Sequence, residues 1–436
     1  MPVWRNSSSG ISICDFTRKT GKTGKISKTV MFQEQEPMIT ENHLPYLVPR
    51  DILQQRIRTF QDVMQREGIR LAWIDHLADR LYYSGSAQNG VLLIPSHEAP
   101  VFFVKKSLSR AAGEAGVDVE PYPGRKALLK RISQWLDGGV LALAMDATPA
   151  AVYAWLKSLD TEIRDAAFFI RMQRAVKDAW ELEQIRRAAH QAVVLMQELP
   201  DLVRPSMTEW SLSIQIESRM RELGHSGTIR VRNRASDPGM LNLVSGDSAL
   251  YPTSFDGCVG GEGLFPFSSA AAGRRELRAG ETLMVDAVTG WNGYFADTTR
   301  SFALGTVKEE ALAAHDFCKE VLSDLESLMK PGADLSEIFE TAQKNAESRG
   351  LPPGFMGHGE NRVRFFGHGI GLELDEYPVI ASGMPMRLAP DMVLAVEPKA
   401  FIAGVGAVGL ENTYRITESG VENLTPAGDA LKSISF

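Results

Sequence analysis

The hydrophobic positions of the chain change period along its length, and the first clear period is helical. In "DILQQRIRTFQDVMQREG", apolar side chains recur at steps of four, three and four before Gly68: Leu53, Ile57, Phe60 and Met64. This spacing predicts a helix that buries one face and ends near the glycine. Apolar runs of strand length follow, separated by Gly, Pro and Ser: "LAWID", "GVLLIP", "APVFFVKK", "VLALAMD" and "AAFFIRM". We predict an α/β domain over residues 46–175.

The remainder of the chain repeats its own pattern. "LVRPSMTEWSLSIQIESRMRELG" and "LMKPGADLSEIFETAQKNAESRG" each run 19 positions from a proline to a glycine, Pro205 to Gly224 and Pro331 to Gly350. Each pattern predicts a turn, a helix and a glycine end. Downstream, "LRAGETLMVDAV" aligns with "LAPDMVLAVEPK", and "ADTTR" with "LENTYR". Residues 176–436 are therefore predicted to hold a duplicated helix-plus-hairpin unit.

The first copy places two carboxylates on one hairpin. "ETLMVDAVTGWNGYFADTTRSFAL" predicts a β-hairpin with Asn292-Gly293 at its turn. Asp286 and Asp297 fall on one face of this pair, opposite or diagonal according to register. Two ionised carboxylates facing inward repel each other and lose hydration, so a cation between them is expected. Taken singly, each aspartate is explained as well by a cap or an ion pair.

The second copy supplies Glu397 and Glu411, which flank the glycine-rich "IAGVGAVG" turn. Four acids from two hairpins facing one another offset two divalent cations. His368, in "GHGIG", would add a neutral nitrogen ligand, and its flanking glycines would bring the backbone close to a metal. Carboxylates with one imidazole suit Mn, Co, Fe or Zn, and the lack of thiolates argues against structural zinc.

Together, "VDAVTGWNGYFADTTR", "GHGIG", "VEP" and "LEN" resemble the pita-bread metallopeptidases: methionine aminopeptidase, Xaa-Pro aminopeptidase and prolidase. The chain from "RIRTFQDVMQREG" onward resembles the creatinase/prolidase N-terminal domain. This resemblance implies an α/β (α+β) fold, in which a smaller domain at 46–175 precedes a pita-bread catalytic domain with pseudo-twofold repeat at 176–436. Residues 1–45 are predicted to be a basic, disordered tail or to follow a misassigned start codon.

The resemblance also assigns roles to residues. It implies a dinuclear site of five ligands: Asp286, Asp297, His368, Glu397 and Glu411. Its two divalent ions, Mn first and Co, Zn or Fe also compatible, would activate a shared water. Glu397 would be the general base.

The resemblance fails at the positions that usually contact substrate. The peptidases usually carry a histidine seven residues after the ligand histidine, where this chain has Asp375. A second histidine, upstream of the first metal aspartate, has no counterpart between His225 and His315. Many proline-specific members also have an arginine at the place of Gly409. Asp375 could shuttle a proton, bind a substrate cation, or be a loop carboxylate.

Two other residues near the ligand histidine could handle substrate. His358 and Arg364, in "GHGENRVRFFGHGIG", could line the pocket and bind a substrate carboxylate. Surface charge or a structural loop role explains each of them equally simply.

Composition and charge limit the kinds of partner and the cellular location that we expect for this chain. A net charge of −7 argues against a nucleic-acid or anionic-membrane partner, and no apolar run has the length of a transmembrane helix. Three scattered cysteines suit a reducing, cytoplasmic location. The resemblance implies a homodimer.

Three hypotheses for function remain. The first is a metal-dependent peptidase that cleaves N-terminal Xaa-Pro or similar bonds of short peptides; its two-domain layout separates it from methionine aminopeptidase. The second is a metal-dependent hydrolase or lyase acting on a small non-peptide metabolite, which the missing histidines favour. The third is a binding protein without catalysis, which the complete ligand set disfavours.

Overall fold

The computed structural model describes residues 43–232, 237–267 and 270–436. Residues 1–42 of the predicted N-terminal tail lie outside these ranges. Within the described ranges, we find no helix that combines the length and apolarity needed to cross a bilayer.

The N-terminal part of the described chain is an α/β domain. Its helices are α1 (Arg50–Arg66), α2 (Leu77–Ser84), α3 (Leu108–Glu114), α4 (Arg125–Leu136), α5 (Ala150–Leu156) and α6 (Ala167–Ala175). Its strands are β1 (Ile69–Ile74), β2 (Gly90–Pro95), β3 (Val101–Val104), β4 (Asp118–Pro121), β5 (Val140–Leu143) and β6 (Ile163–Asp165). They form one mixed sheet in the order β4-β3-β2-β1-β5-β6.

Both faces of this sheet are buried. Alternate residues of a strand point to opposite faces, so Leu71 and Trp73 pack in one hydrophobic cluster and Ala72 and Ile74 in another. The first cluster includes Leu128 and residues of α4 and α5, whereas the second includes the apolar face of α1. This double burial explains why the strands read as continuous apolar runs.

One strand prediction was wrong, because "AAFFIRM" lies in helix α6. Its buried positions include Ala167, Ile170 and Arg174, which are spaced three and four apart, whereas Phe168 is half exposed. Asp165 Oδ1 accepts a hydrogen bond of 2.9 Å from the backbone N–H of Ala167, at the start of the helix. A short apolar run cannot by itself separate strand from helix.

The C-terminal part contains the repeat. Its helices are α7 (Ala179–Glu198), α8 (Glu209–Glu222), α9 (Glu309–Leu328) and α10 (Leu335–Arg349). Its strands are β7 (Leu241–Ser245), β8 (Thr282–Trp291), β9 (Tyr294–Leu304), β10 (Phe365–Gly369), β11 (Glu376–Ala381), β12 (Val393–Val396), β13 (Lys399–Ile402), β14 (Gly406–Gly409), β15 (Asn412–Ile416), β16 (Val421–Asn423) and β17 (Lys432–Ile434).

The two predicted helix-plus-hairpin units are present. Helices α8 and α10 begin after the side-chain caps Thr208 and Asp334, which follow the prolines of the repeated pattern. One sheet runs β17-β9-β8-β7 and another β11-β10-β12-β15-β16, while β13 and β14 pair as a separate extension. The hairpin of the second unit is thus broken in its middle, where the first is continuous.

A buried network of ion pairs joins the N-terminal domain to β11, the edge strand of the sheet β11-β10-β12-β15-β16. The Arg174 guanidinium donates to Asp79 at 2.6 Å, lies 2.8 Å from Glu373, and donates to Glu376 at 2.5 Å. Lys177 Nζ donates to the other oxygen of Glu376 at 2.9 Å. All five side chains are almost fully buried. Because Glu376 begins β11, the network positions the strand that pairs with β10.

Candidate metal centre

The β8–β9 hairpin presents its two aspartates diagonally. Asp286 pairs with Thr299 and Val288 with Asp297, so the two carboxylates lie on one face, two positions apart. This confirms the predicted common face and settles the register. The turn lies at Asn292-Gly293, as predicted.

The broken hairpin of the second unit aligns its own two acids. Strands β12 and β15, and then β13 and β14, pair in one continuous register. Glu397 and Glu411 lie in the gaps between these strands, at facing positions. Thr299 bridges the two units, because its hydroxyl donates to Glu411 Oε2 at 2.8 Å and its backbone pairs with the backbone of Glu411. The four acids of the two hairpins therefore converge.

A lysine occupies the point of convergence. Lys399 Nζ donates to Glu397 Oε2 at 2.7 Å, to Asp286 Oδ2 at 2.9 Å and to Glu411 Oε2 at 3.0 Å. Lys399 is 0% exposed, and these three carboxylates, which outweigh the effect of its burial, raise its pKa well above the ordinary value. Lys399 is absent from the sequence-based predictions, although a lysine opening the apolar run "KAFI" two residues after a predicted ligand is a usable signal.

The remaining ligand atoms fit a divalent ion. Asp297, His368 and Glu411 each offer one ligand atom, and these atoms lie within 4.8 Å of one another. Glu411 Oε1 is buried and has no hydrogen-bond partner among the described residues. Two carboxylates and an imidazole, all buried, form a donor set suited to Mn, Fe, Co or Zn. An unpaired carboxylate oxygen in this position is what a metal would satisfy.

The pKa shifts reflect an excess of negative charge. Burial, together with the charges of Glu411 and Asp286, raises the pKa of Asp297 well above its usual range. Burial and the neighbouring carboxylates outweigh Lys399 and raise the pKa of Glu411 to about 7. One ammonium therefore does not balance the cluster, and a further cation would stabilise it.

His368 is oriented through its Nδ1 atom. Its Nδ1 lies 3.1 Å from the carbonyl oxygen of Gly369 and 3.4 Å from Asp375 Oδ1. Burial alone would lower the pKa of His368, but the charges of Asp375 and Glu397 outweigh it and raise the pKa. An N–H at Nδ1 leaves Nε2 as the nitrogen available to a metal.

The glycines beside His368 are required by the neighbouring strands. A Cβ at Gly367 would collide with the carbonyl oxygen of Ala395, and one at Gly369 with that of Tyr377. Close approach of β12 and of the start of β11, rather than of a metal alone, therefore explains the sequence "GHG".

Asp286 and Asp297 open onto a cavity of about 570 Å³. Its wall is largely apolar and includes Leu241, Phe255, Val259, Phe267, Val288 and Leu374. Asp237 adds a third carboxylate, and the lining contains no histidine, lysine or arginine among the described residues. The cavity thus combines an acidic floor with an apolar wall.

The predicted substrate-binding residues lie elsewhere. His358 is exposed and lines a separate cavity of about 360 Å³ together with Arg362, and Arg364 is exposed just before β10. Asp375, whose side chain is 45% exposed, lines a small recess with Arg171. The structure brings Asp375 to His368, but none of the three residues to the lining of the large cavity. Their roles in substrate handling stay predictions.

Comparison with known proteins identifies two families along the chain. The family model described as metallopeptidase family M24 matches residues 183–418. The family model described as creatinase/prolidase N-terminal domain matches residues 56–176. The catalytic match covers more than half of the chain and includes all five predicted metal ligands.

Individual relatives cover most of the chain at low identity. An uncharacterized peptidase of Staphylococcus epidermidis is 24% identical over 384 residues, which cover 85% of this chain and 98% of the relative. The prolidase from Pyrococcus horikoshii has a TM-score of 0.73 at 21% identity, covering 86% of this chain and 99% of its own. The X-Pro aminopeptidase from Thermotoga maritima has a TM-score of 0.72 at 21% identity, and the match covers 87% of this chain and 99% of the aminopeptidase. These likenesses confirm the predicted fold.

Proposed function

This chain belongs to metallopeptidase family M24, and on that basis we propose that it hydrolyses Xaa-Pro or similar bonds at the N-terminus of short peptides. The observation that carries the proposal is the cavity of about 570 Å³, with Asp286 and Asp297 in its floor and apolar side chains on its wall. Xaa-Pro dipeptidases and an X-Pro aminopeptidase among the similar proteins support this choice of bond.

The residues present fit a metal cofactor. Asp297, His368 and Glu411 would hold a divalent ion, with Asp286 and Glu397 as the further ligands proposed from the sequence. A bound ion would polarise the scissile carbonyl and lower the pKa of a water that it coordinates. We propose manganese as the ion to supply first; two ions are expected from the sequence.

Glu397 is the residue we propose as general base. It is buried, and its Oε2 accepts from Lys399 Nζ at 2.7 Å, the same group that donates to the cavity residue Asp286. Glu397 would accept a proton from the attacking water and return it to the leaving amine. Asp375 would act through His368 by orienting the imidazole, since it lies 3.4 Å from Nδ1.

The cavity also suggests the end of the peptide that it accepts. Its apolar wall suits a proline ring, and the Asp237 carboxylate suits an α-ammonium group. The described lining has no basic side chain for the free carboxylate of a dipeptide. We therefore propose that peptides of three or more residues are better substrates than Xaa-Pro dipeptides.

A second candidate is a hydrolase or lyase for a small cationic metabolite. An acidic lining without histidine or basic side chains among the described residues favours it, because a cation would be attracted and no peptide carboxylate would be bound.

The test is a substrate panel with protein loaded with Mn²⁺. It compares Xaa-Pro dipeptides, longer peptides that begin with Xaa-Pro, and the same peptides with Ala in place of Pro. Glu397→Ala serves as the blank. Turnover of the proline peptides that the blank lacks supports the proposal. Metal-loaded protein that cleaves none of them contradicts it and favours the second candidate.

The assembly and location of the protein are proposals as well. We propose a homodimer in the cytoplasm, and sedimentation equilibrium of the full chain tests the first part. A monomer at micromolar concentration contradicts it.

A further inference from the structure

We propose that the ammonium group of Lys399 takes the place of one divalent cation, so that this centre binds a single metal ion. The ion would lie between Asp297, His368 and Glu411. The inference rests on the proposed metal dependence of this site, but not on the identity of its substrate.

The ammonium group of Lys399 lies among three carboxylates. Lys399 Nζ has three N–H donors, and it contacts one oxygen each of Asp286, Glu397 and Glu411 at 2.7–3.0 Å. These carboxylates come from both hairpins, so the ammonium group sits where the two units meet. A metal ion at this point would need the same three oxygens at about 2.0–2.2 Å. Lysine and metal therefore exclude each other here.

The position facing Lys399 must be a glycine. Lys399 pairs directly with Gly409 across β13 and β14. A Cβ on residue 409 would lie 2.7 Å from Lys399 Cα, 2.9 Å from Lys399 Cγ and 2.6 Å from the carbonyl oxygen of Pro398. Gly409 also has a φ of 151°, which side chains rarely tolerate. The glycine is required by the close backbone of Pro398 and Lys399, and it also leaves room for Lys399 Cγ.

Lys399 leaves some of the predicted metal-ligand atoms free. Asp297 has no contact with Lys399 among the hydrogen bonds of the described residues, and Glu411 contacts it through Oε2 only. Glu411 Oε1 is buried without a partner. With His368 these groups lie within 4.8 Å of one another, which is room for one ion. Asp286 and Glu397 instead hold the ammonium group, and Glu397 remains free to act as a base through its other oxygen.

The consequence is a centre with one Lewis-acidic ion and one fixed ammonium charge. An ammonium group carries positive charge but cannot coordinate water, so the two cation positions are chemically unequal. The charge of the lysine offsets part of the negative charge of Asp286, Glu397 and Glu411.

Metal stoichiometry tests this inference without reference to turnover. Full-length protein is stripped with a chelator, dialysed against excess Mn²⁺ and then against buffer, and its metal is counted by inductively coupled plasma mass spectrometry. Electron paramagnetic resonance then distinguishes an isolated Mn²⁺ from a coupled pair. We expect one isolated ion per chain in the wild type and two coupled ions in Lys399→Met, because three carboxylates lose their cation. Lys177→Met, which removes another buried and ion-paired lysine outside the centre, should keep one.

The outcomes separate the two proposals. Two ions, or none, in the wild type overturn the inference, whether or not Lys399→Met folds. One ion in both the wild type and a folded Lys399→Met also overturns it, since Lys399 then excludes nothing. One ion in the wild type and two in the variant support it, even where no Xaa-Pro peptide is cleaved. Xaa-Pro turnover by a two-ion wild type would leave the proposed function intact and remove this inference.

Discussion

Glu376 links the N-terminal domain to the strand that contains His368 through its pairing with β10, and Glu376→Gln is expected to destabilise the protein strongly. The carboxylate is buried and accepts hydrogen bonds from Arg174 at 2.5 Å, Lys177 at 2.9 Å and the backbone N–H of Glu373 at 3.0 Å. Burial alone would raise the pKa of Glu376, but Arg174 and Lys177 outweigh it and lower the pKa from 4.5 to about 2.

The size of the effect follows from this lowered pKa. A change from 4.5 to about 2 corresponds to about 3 kcal/mol of folding free energy at neutral pH. This agrees with the roughly 3–5 kcal/mol lost when one partner of a buried ion pair is removed. Between pH 4.5 and 2 the unfolded glutamate binds a proton that the folded one does not, so the stabilisation is present above pH 4.5 and disappears towards pH 2. At pH 3 the free energy of unfolding of the wild type should exceed that of Glu376→Gln by only about 1.4 kcal/mol.

Urea unfolding followed by tryptophan fluorescence and circular dichroism measures both quantities. The matched control is Glu422→Gln, another glutamate that accepts from two cationic side chains, here Arg186 and Arg415, but whose own side chain is 37% exposed. We expect it to cost less than about 1 kcal/mol. Equal stability of Glu376→Gln and wild type at pH 7 would refute the reasoning. A difference as large at pH 3 as at pH 7 would show that packing, rather than the ionised carboxylate, is responsible.

Further predictions concern the centre and its surroundings. Asp375→Asn should weaken Mn²⁺ binding by about tenfold through loss of orientation at His368, measured by isothermal titration calorimetry; unchanged affinity makes Asp375 a bystander. Asp297→Asn should lower metal content in a folded protein, and unchanged content refutes Asp297 as a ligand. Cys258 and Cys318 are buried, and burial raises the pKa of both thiols. Mass spectrometry should therefore find both unalkylated by iodoacetamide until urea unfolds the chain; modification of the native protein would contradict their burial.

Local patterns predicted the parts of the site that are built from consecutive residues. The β8–β9 hairpin follows from its alternation and its Asn-Gly turn, and the period of two places Asp286 and Asp297 on one face. Only the register, opposite or diagonal, needed the structure. Helices α8 and α10 likewise follow from caps and glycines close to them in the sequence.

Features that depend on packing between distant segments were not predictable in this way. Arg174 and Glu376 form a buried ion pair although 202 residues separate them. The local sequence around either residue does not indicate its partner. The strand prediction for α6 was wrong because its apolar run is too short to show a period. The buried face of this helix includes Arg174, whose burial depends on that same network. The exposure of His358 and Arg364 also depends on how the loop before β10 runs.

The proposed number of ions shows why a complete set of ligand residues does not by itself determine the metal stoichiometry. Side chains on a strand alternate, so a residue two positions after a ligand shares its face and can reach the same space. Lys399 stands in that relation to Glu397, and the facing Gly409 gives it room. Five ligand residues are therefore necessary for two ions but not sufficient, because a cation supplied by the chain itself competes for three of the four carboxylates. On this proposal, Lys399, which follows the "VEP" motif, limits this chain to one ion.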